Sequence, residues 1–132
     1  MKKYGDLGCP ICSRIAEGDL LVVHELAVAF PDMFPVNPGH TLIVPRRHEA
    51  DYFALTADEQ SAIWELVKEV REILENRHHP HGYNLGINAG VAAGQTILHV
   101  HLHVMPRYAG DVPDPRGGVR WVLPQRAPYW KR

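Results

Sequence analysis

Three histidines stand at alternate positions in Ile97-Leu98-His99-Val100-His101-Leu102-His103-Val104-Met105. In an extended strand alternate side chains share a face, with a rise of about 3.3 Å per residue. The run therefore predicts a strand with Leu98, Val100, Leu102 and Val104 against a core. His99, His101 and His103 would form a row on the other face, about 6.6 Å apart. Such a row can be a solvated strand face, a metal site or a catalytic face, and three imidazoles are an unusual choice for plain solvation. A neutral imidazole attacks phosphorus well when one nitrogen is bare and the other is held by a hydrogen bond that sets the tautomer. The small-residue loop Gly94-Gln95-Thr96, directly before the row, offers backbone amides, a side-chain amide and a hydroxyl to an anion.

Cys9 and Cys12 are the only cysteines, spaced C-x-x-C. One close pair makes a secreted disulfide framework improbable, and leaves a redox dithiol, half of a zinc site, or inert thiols. A structural zinc site takes about four ligands, so two histidines would have to come from elsewhere. His78-His79-Pro80-His81-Gly82 gathers three more imidazoles, but its proline and glycine predict a solvated turn.

The elements that must position these residues follow from patterning. Cys9 to Glu17 predicts a short helix closed by Gly18-Asp19. Leu20–Glu25 and Leu26–Phe30 predict neighbouring strands, Pro31–Gly39 a proline-rich loop, and His40–Pro45 a third strand. The long helix runs from Thr56 to about Arg77. Thr56 and Glu59 make a capping box, and Ile63, Leu66, Val67, Val70, Ile73 and Leu74 form an apolar core stripe with Trp64 beside it. Tyr83–Asn88 predicts a fourth strand, paired through the Ala89–Thr96 loop with the histidine strand, which Pro106-Arg107 ends. Strands, one long helix, then strands argue for an α+β fold: an antiparallel sheet of about five strands with one long helix and a short N-terminal helix. The 132 residues suit a single domain, with a Pro- and Gly-rich tail over 110–132.

A formal net charge of −1 gives no footprint for nucleic acid. No apolar stretch reaches the ~20 residues of a membrane span, and Met1-Lys2-Lys3 is followed by no apolar run, so neither a signal peptide nor a membrane partner is expected and the chain is expected in the cytoplasm.

Gly94-Gln95-Thr96 followed by His99-Val100-His101-Leu102-His103-Val104-Met105 resembles the signature of the histidine-triad family, His-φ-His-φ-His-φ-φ with φ apolar. Pro38-Gly39-His40-Thr41-Leu42-Ile43-Val44-Pro45 resembles its second block, and the likeness runs from about Cys9 to Arg107. The resemblance implies hydrolysis or transfer at a nucleotide α-phosphate, with release of a nucleoside monophosphate, from a dinucleoside polyphosphate or a nucleoside phosphoramidate. Met105-Pro106-Arg107 with Ala109-Gly110-Asp111 leans slightly to the polyphosphate branch. It implies His101 as the nucleophile that carries the nucleotidyl group, His103 on the phosphate oxygens and leaving group, and Gln95 and Thr96 on the phosphate or leaving group. Phe30, Asp32, His40, Asn88 and Gly94 would complete the nucleotide site, with Asp32 on the ribose hydroxyls and His40 behind the catalytic strand. It also implies structural zinc on Cys9, Cys12, His48 and His99, no cofactor for the chemistry, an AMP-containing substrate and a homodimer. A nucleotide-binding or sensing protein without turnover, and a zinc-only structural protein, are the alternatives.

Overall fold

The computed structural model describes residues 8–131. The Met1-Lys2-Lys3 start lies outside them. Helix α1 (Pro10–Glu17) leads through β1 (Val22–Val23), β2 (Ala27–Pro31) and β3 (Thr41–Pro45) to the long helix α2 (Ala57–His78), and then to β4 (Gly82–Ile87) and β5 (Leu102–Arg107). The strands form one five-stranded sheet in the order β1-β2-β3-β5-β4, antiparallel throughout. The expected α+β architecture is present.

Each sheet face carries its own core. On one face α2 lays Ala62, Ile63, Leu66, Val70 and Leu74 over Ala27, Ala29, Ile43, Leu102 and Val104. Each of the Ile, Leu and Val side chains contributes roughly 1.5–3 kcal/mol by leaving water. On the opposite face α1 sets Ile11, Cys12 and Ile15 on Val28, Phe30, Leu42 and Val44. The helix start is the predicted capping box: Glu59 N donates to Thr56 Oγ1 at 3.0 Å and Thr56 N donates to Glu59 Oε1 at 2.9 Å. Glu59, only 5% exposed, also accepts Arg47 through both carboxylate oxygens, at 3.0 and 2.9 Å.

The histidine strand is shorter than its alternation predicts. Regular pairing starts at Leu102, and residues 97–101 are an irregular approach to it. Four consecutive residues, His99, Val100, His101 and Leu102, are buried, whereas Leu98 is 56% exposed and lies outside the core wall. The cause lies across the fold. Val100 N donates to Glu49 O at 2.8 Å and the His99 ring bonds Pro45 O at 2.9 Å, so the chain is stitched to the segment after β3 rather than to a strand neighbour. The three imidazoles are therefore not an even row.

The N-terminal strand reduces to Val22–Val23, His40 precedes β3, and Asn88 follows β4. Short 3-10 turns occupy Tyr52–Ala54, Val91–Ala93, Gly118–Val122 and Tyr129–Lys131, which patterning did not indicate. His78, His79 and His81 are exposed, as a solvated turn requires.

Candidate active site and metal centre

The ring nitrogens of the site are sorted by what each one faces. A carbonyl oxygen only accepts, so His99, whose Nε2 lies 2.9 Å from Pro45 O, carries its proton there and leaves Nδ1 bare. That nitrogen faces Cys9 Sγ at 3.5 Å, Cys12 Sγ at 3.6 Å and His48 Nδ1 at 3.3 Å, and Cys12 Sγ lies 3.4 Å from His48 Nδ1. Zinc bonds of about 2.3 Å to sulfur and 2.0–2.1 Å to nitrogen put tetrahedral N···N edges at about 3.3 Å and S···N edges at about 3.6 Å. The four side chains stand at that spacing, with two soft thiolates and two imidazoles, which is the donor set and geometry zinc takes. Cys9 caps α1 and accepts Cys12 N at 3.3 Å, which fixes its sulfur at the helix start. The redox reading lacks its βαβ setting, since α1 leads into an antiparallel strand.

His101 Nδ1 lies 2.8 Å from the carbonyl oxygen of His99. The proton therefore sits on Nδ1 and the Nε2 lone pair is free. His99 thus serves two functions: its ring joins the cysteine cluster, and its carbonyl sets the tautomer of the neighbour.

A second chain of bonds orders His103. The Val36 backbone N–H donates to His40 Nδ1 at 3.1 Å, which puts the His40 proton on Nε2. That nitrogen is 2.9 Å from His103 Nδ1 and 3.4 Å from Asp32 Oδ2. His103 Nδ1 therefore accepts, and its proton is on Nε2, ready to donate. The proton on His40 Nε2 also argues against a metal among Asp32, His40 and His103, although these side chains converge. Burial, then the neighbouring His101 and His40, push His103 down to about 4, so it is neutral near pH 7. Burial likewise lowers His40, against the opposing pull of Asp32.

His103 opens into a cleft of about 1070 Å³, lined on one side by His40, Asn88, Met105 and Arg107 and on the other by the tail, including Val119, Trp121 and Val122. In the neighbouring strands Leu42 and Gly86 stand in register with His103, and nothing lies within 4 Å of the place a Gly86 Cβ would take.

The chain matches the HIT domain over residues 14–110. It belongs to the histidine-triad (HIT) family. A HIT family protein from Bacillus anthracis has the same fold, with a TM-score of 0.72, 37% identity, and coverage of 79% of this chain and 76% of that one. A zinc-bound histidine triad protein from Mycobacterium smegmatis superposes with a TM-score of 0.74 at 26% identity, over 96% of this chain and 99% of the other. The AP-4-A phosphorylase of Mycobacterium tuberculosis is 34% identical over 96 residues, 72% of this chain and 49% of that protein.

Within this HIT fold the expected site residues are not equally placed. His101, His103, His40 and Asp32 come together, and Asn88 reaches the same cleft. Phe30 is buried, with the Arg14 guanidinium 5.1 Å from its ring centroid. The buried Gln95 side chain bonds backbone only: Oε1 accepts Gly90 N at 2.9 Å, and Nε2 donates to Ala50 O at 2.8 Å and Ile97 O at 3.1 Å. Thr96 lines a smaller cavity beside Cys9 and His48, away from the main cleft. Gly94, with φ of 97°, closes the Val91–Ala93 turn. Sequence reasoning missed Pro45 O and Val36 N, which set two of the tautomers; as backbone groups they leave no mark on residue type. Arg107 and Asp111, four apart, carried a readable signal as an ion pair.

Proposed function

We propose that the chain cleaves nucleotides at the α-phosphorus through a nucleotidyl–His101 intermediate. The observation that carries this reading is the 2.8 Å bond from His101 Nδ1 to the His99 carbonyl, which leaves Nε2 bare. In the first step that lone pair bonds to phosphorus. The bond from phosphorus to the leaving group X breaks, its electron pair stays on X, and X gains a proton from solvent as it departs. His103 donates from Nε2–H to X or a phosphate oxygen. In the second step water bonds to phosphorus and loses a proton to solvent, and the bond to His101 breaks with its pair returning to Nε2. The product is a nucleoside monophosphate.

Asp32, at the β2–β3 turn, takes the ribose hydroxyls, and Asn88 reaches the phosphate from the cleft. Gln95 holds the preceding loop in shape, with Gly94 and Thr96 on the same loop. Zinc bound by Cys9, Cys12, His48 and His99 would supply rigidity to the segment that ends in the His99 carbonyl. The AP-4-A phosphorylase relative supports a nucleotide polyphosphate or a related adenylate as substrate. We further assign the protein to the cytoplasm, as a homodimer. No helix among the described residues is long and apolar enough to cross a membrane.

The test is His101→Ala against wild type on diadenosine tetraphosphate and an adenosine 5′-phosphoramidate, with protein quenched and digested at alkaline pH, where the bond from phosphorus to the imidazole nitrogen survives, for mass analysis. Removal of a nucleophile that acts as part of a unit costs on the order of 10³-fold or more. Wild-type rates in the variant, or no nucleotidyl group on the His101 peptide during turnover, would overturn the reading.

A further inference from the structure

The metal centre holds the only two thiols of the chain, Cys9 and Cys12, and a path reaches them from outside. Both side chains are buried. A cavity of about 250 Å³ nevertheless opens beside Cys9 and His48, with Pro10, Thr96 and the half-exposed Leu98 among its walls. That volume is ample for a solute of a few heavy atoms, since a single water needs only about 10–15 Å³. Cys9 lines the cavity and Cys12 lies behind it, so Cys9 is the sulfur such a solute meets first.

The two sulfurs are also placed to bond to each other. Cys9 is the N-cap of α1 and Cys12 is in its first turn, where Cys12 N donates to Cys9 Sγ at 3.3 Å. The sulfurs lie within 4.8 Å of one another. A disulfide brings them to about 2.05 Å, whereas zinc bonds of about 2.3 Å hold two tetrahedral sulfurs about 3.8 Å apart. The pair can hold the ion or form the bond, and not both. The four donors tie together α1, the segment after β3 at His48, and the approach to β5 at His99. His99 passes that tie on, because its main-chain carbonyl accepts His101 Nδ1 at 2.8 Å.

We infer that Cys9 and Cys12 are an oxidisable site: a hydroperoxide converts them to a disulfide, the metal is released, and nucleotide cleavage stops until a thiol reductant restores the pair. The link to cleavage rests on the reading that His101 carries the nucleotidyl group. The Cys9 sulfur bonds to one peroxide oxygen, the O–O bond breaks, and hydroxide leaves, so Cys9 becomes a sulfenic acid. The Cys12 sulfur then bonds to the Cys9 sulfur, the S–O bond breaks, and a second hydroxide leaves. Both sulfurs are oxidised and the peroxide is reduced, and the two hydroxides take up two protons to give two waters. In a cytoplasmic setting such a pair rests reduced, so the disulfide is a reversible signal and not a structural bond. The antiparallel setting of α1 disfavours a thiol-exchange catalyst, but a small oxidant needs no docking site for a protein substrate.

The experiment treats the zinc-loaded chain with a slight excess of hydrogen peroxide. Zinc release is read with a chromogenic chelator, thiol state by mass analysis after alkylation, and turnover on diadenosine tetraphosphate. Wild type is expected to release one zinc per chain and to gain one disulfide on the Cys9–Cys12 peptide. Turnover should fall at least about tenfold, as displacement of a positioned group by about 1 Å can cost more than that. Dithiothreitol with zinc should restore both metal and turnover. That reversal separates the thiols from Met33, which is exposed, and Met105 in the cleft, because methionine sulfoxide is returned only by dedicated reductases. Cys9→Asp keeps a helix cap and an oxygen ligand but cannot form the disulfide. It should keep its zinc, and most of its own untreated turnover, through the same treatment. Zinc retained with both thiols still open to alkylation would overturn the inference. So would a loss that dithiothreitol and zinc do not restore, an equal loss in Cys9→Asp, or full turnover in the disulfide form. Absence of turnover before treatment would instead overturn the proposed reaction, and zinc release with the thiol state would then decide the oxidation by themselves.

Discussion

Replacing His48 by alanine tests the metal centre most directly. The side chain is half-buried, and its Nδ1 stands 3.3 Å from His99 Nδ1 and 3.4 Å from Cys12 Sγ. These edges already match those of a zinc tetrahedron, so binding needs little rearrangement and the site should be tight. A ligand bound at about 1,000 times its dissociation constant stabilises the folded chain by about 4.1 kcal/mol. For a domain of this size each kcal/mol moves Tm by roughly 3–5 °C, so metal loss should lower Tm by roughly 12–20 °C. The assay is elemental analysis of protein purified without chelator, beside thermal unfolding with and without a zinc chelator. Wild type should hold one zinc per chain and lose most of that Tm on chelation. His48→Ala should hold little zinc, melt near the chelated wild type, and respond weakly to chelator. A wild type purified without zinc, or a Tm unmoved by chelator, would refute the assignment of Cys9, Cys12, His48 and His99.

Three further outcomes follow from the packing. Glu59→Ala removes the cap acceptor for Thr56 N and both bonds from Arg47, and should cost about 2–3 kcal/mol in a urea titration; a loss under 0.5 kcal/mol would contradict the buried role of Glu59. Gly39→Ala puts a Cβ at 3.0 Å from His78 and 3.1 Å from both Leu74 and Pro106, at a φ of 92°, so a loss of about 2 kcal/mol or more is expected, and a neutral result would refute that close approach. His103 titrates near 6.5 when unfolded and near 4 when folded, so its stabilising contribution is full above pH 6.5 and is lost as pH falls toward 4. That loss is on the order of 2–3 kcal/mol, and His103→Asn should show a correspondingly smaller drop in urea midpoint between pH 7.5 and 4.5 than wild type.

The capping box at Thr56 and Glu59, the apolar stripe of α2, the antiparallel sheet and the two cysteines were all legible, because each depends on local spacing and residue type. The alternate spacing of His99, His101 and His103 pointed to chemistry rather than surface only through residue type, since a strand pattern treats the three as equivalent. The sequence alone therefore determined which groups were available: two thiols, a set of histidines, an acidic turn residue at Asp32 and a small-residue loop before the triad. It could not determine how the imidazoles differ. That was decided by Pro45 O, His99 O and Val36 N, backbone groups brought into place by packing between segments distant in sequence. The same is true of the tail. The run Val119-Arg120-Trp121-Val122-Leu123 interrupts its Pro- and Gly-rich composition, but only the fit of Gly118 against Asn84 makes that run a wall of the cleft. Side-chain patterns encode which faces are buried, whereas a histidine's tautomer depends on which single polar atom stands within hydrogen-bond distance of each nitrogen, and that is a property of the folded chain.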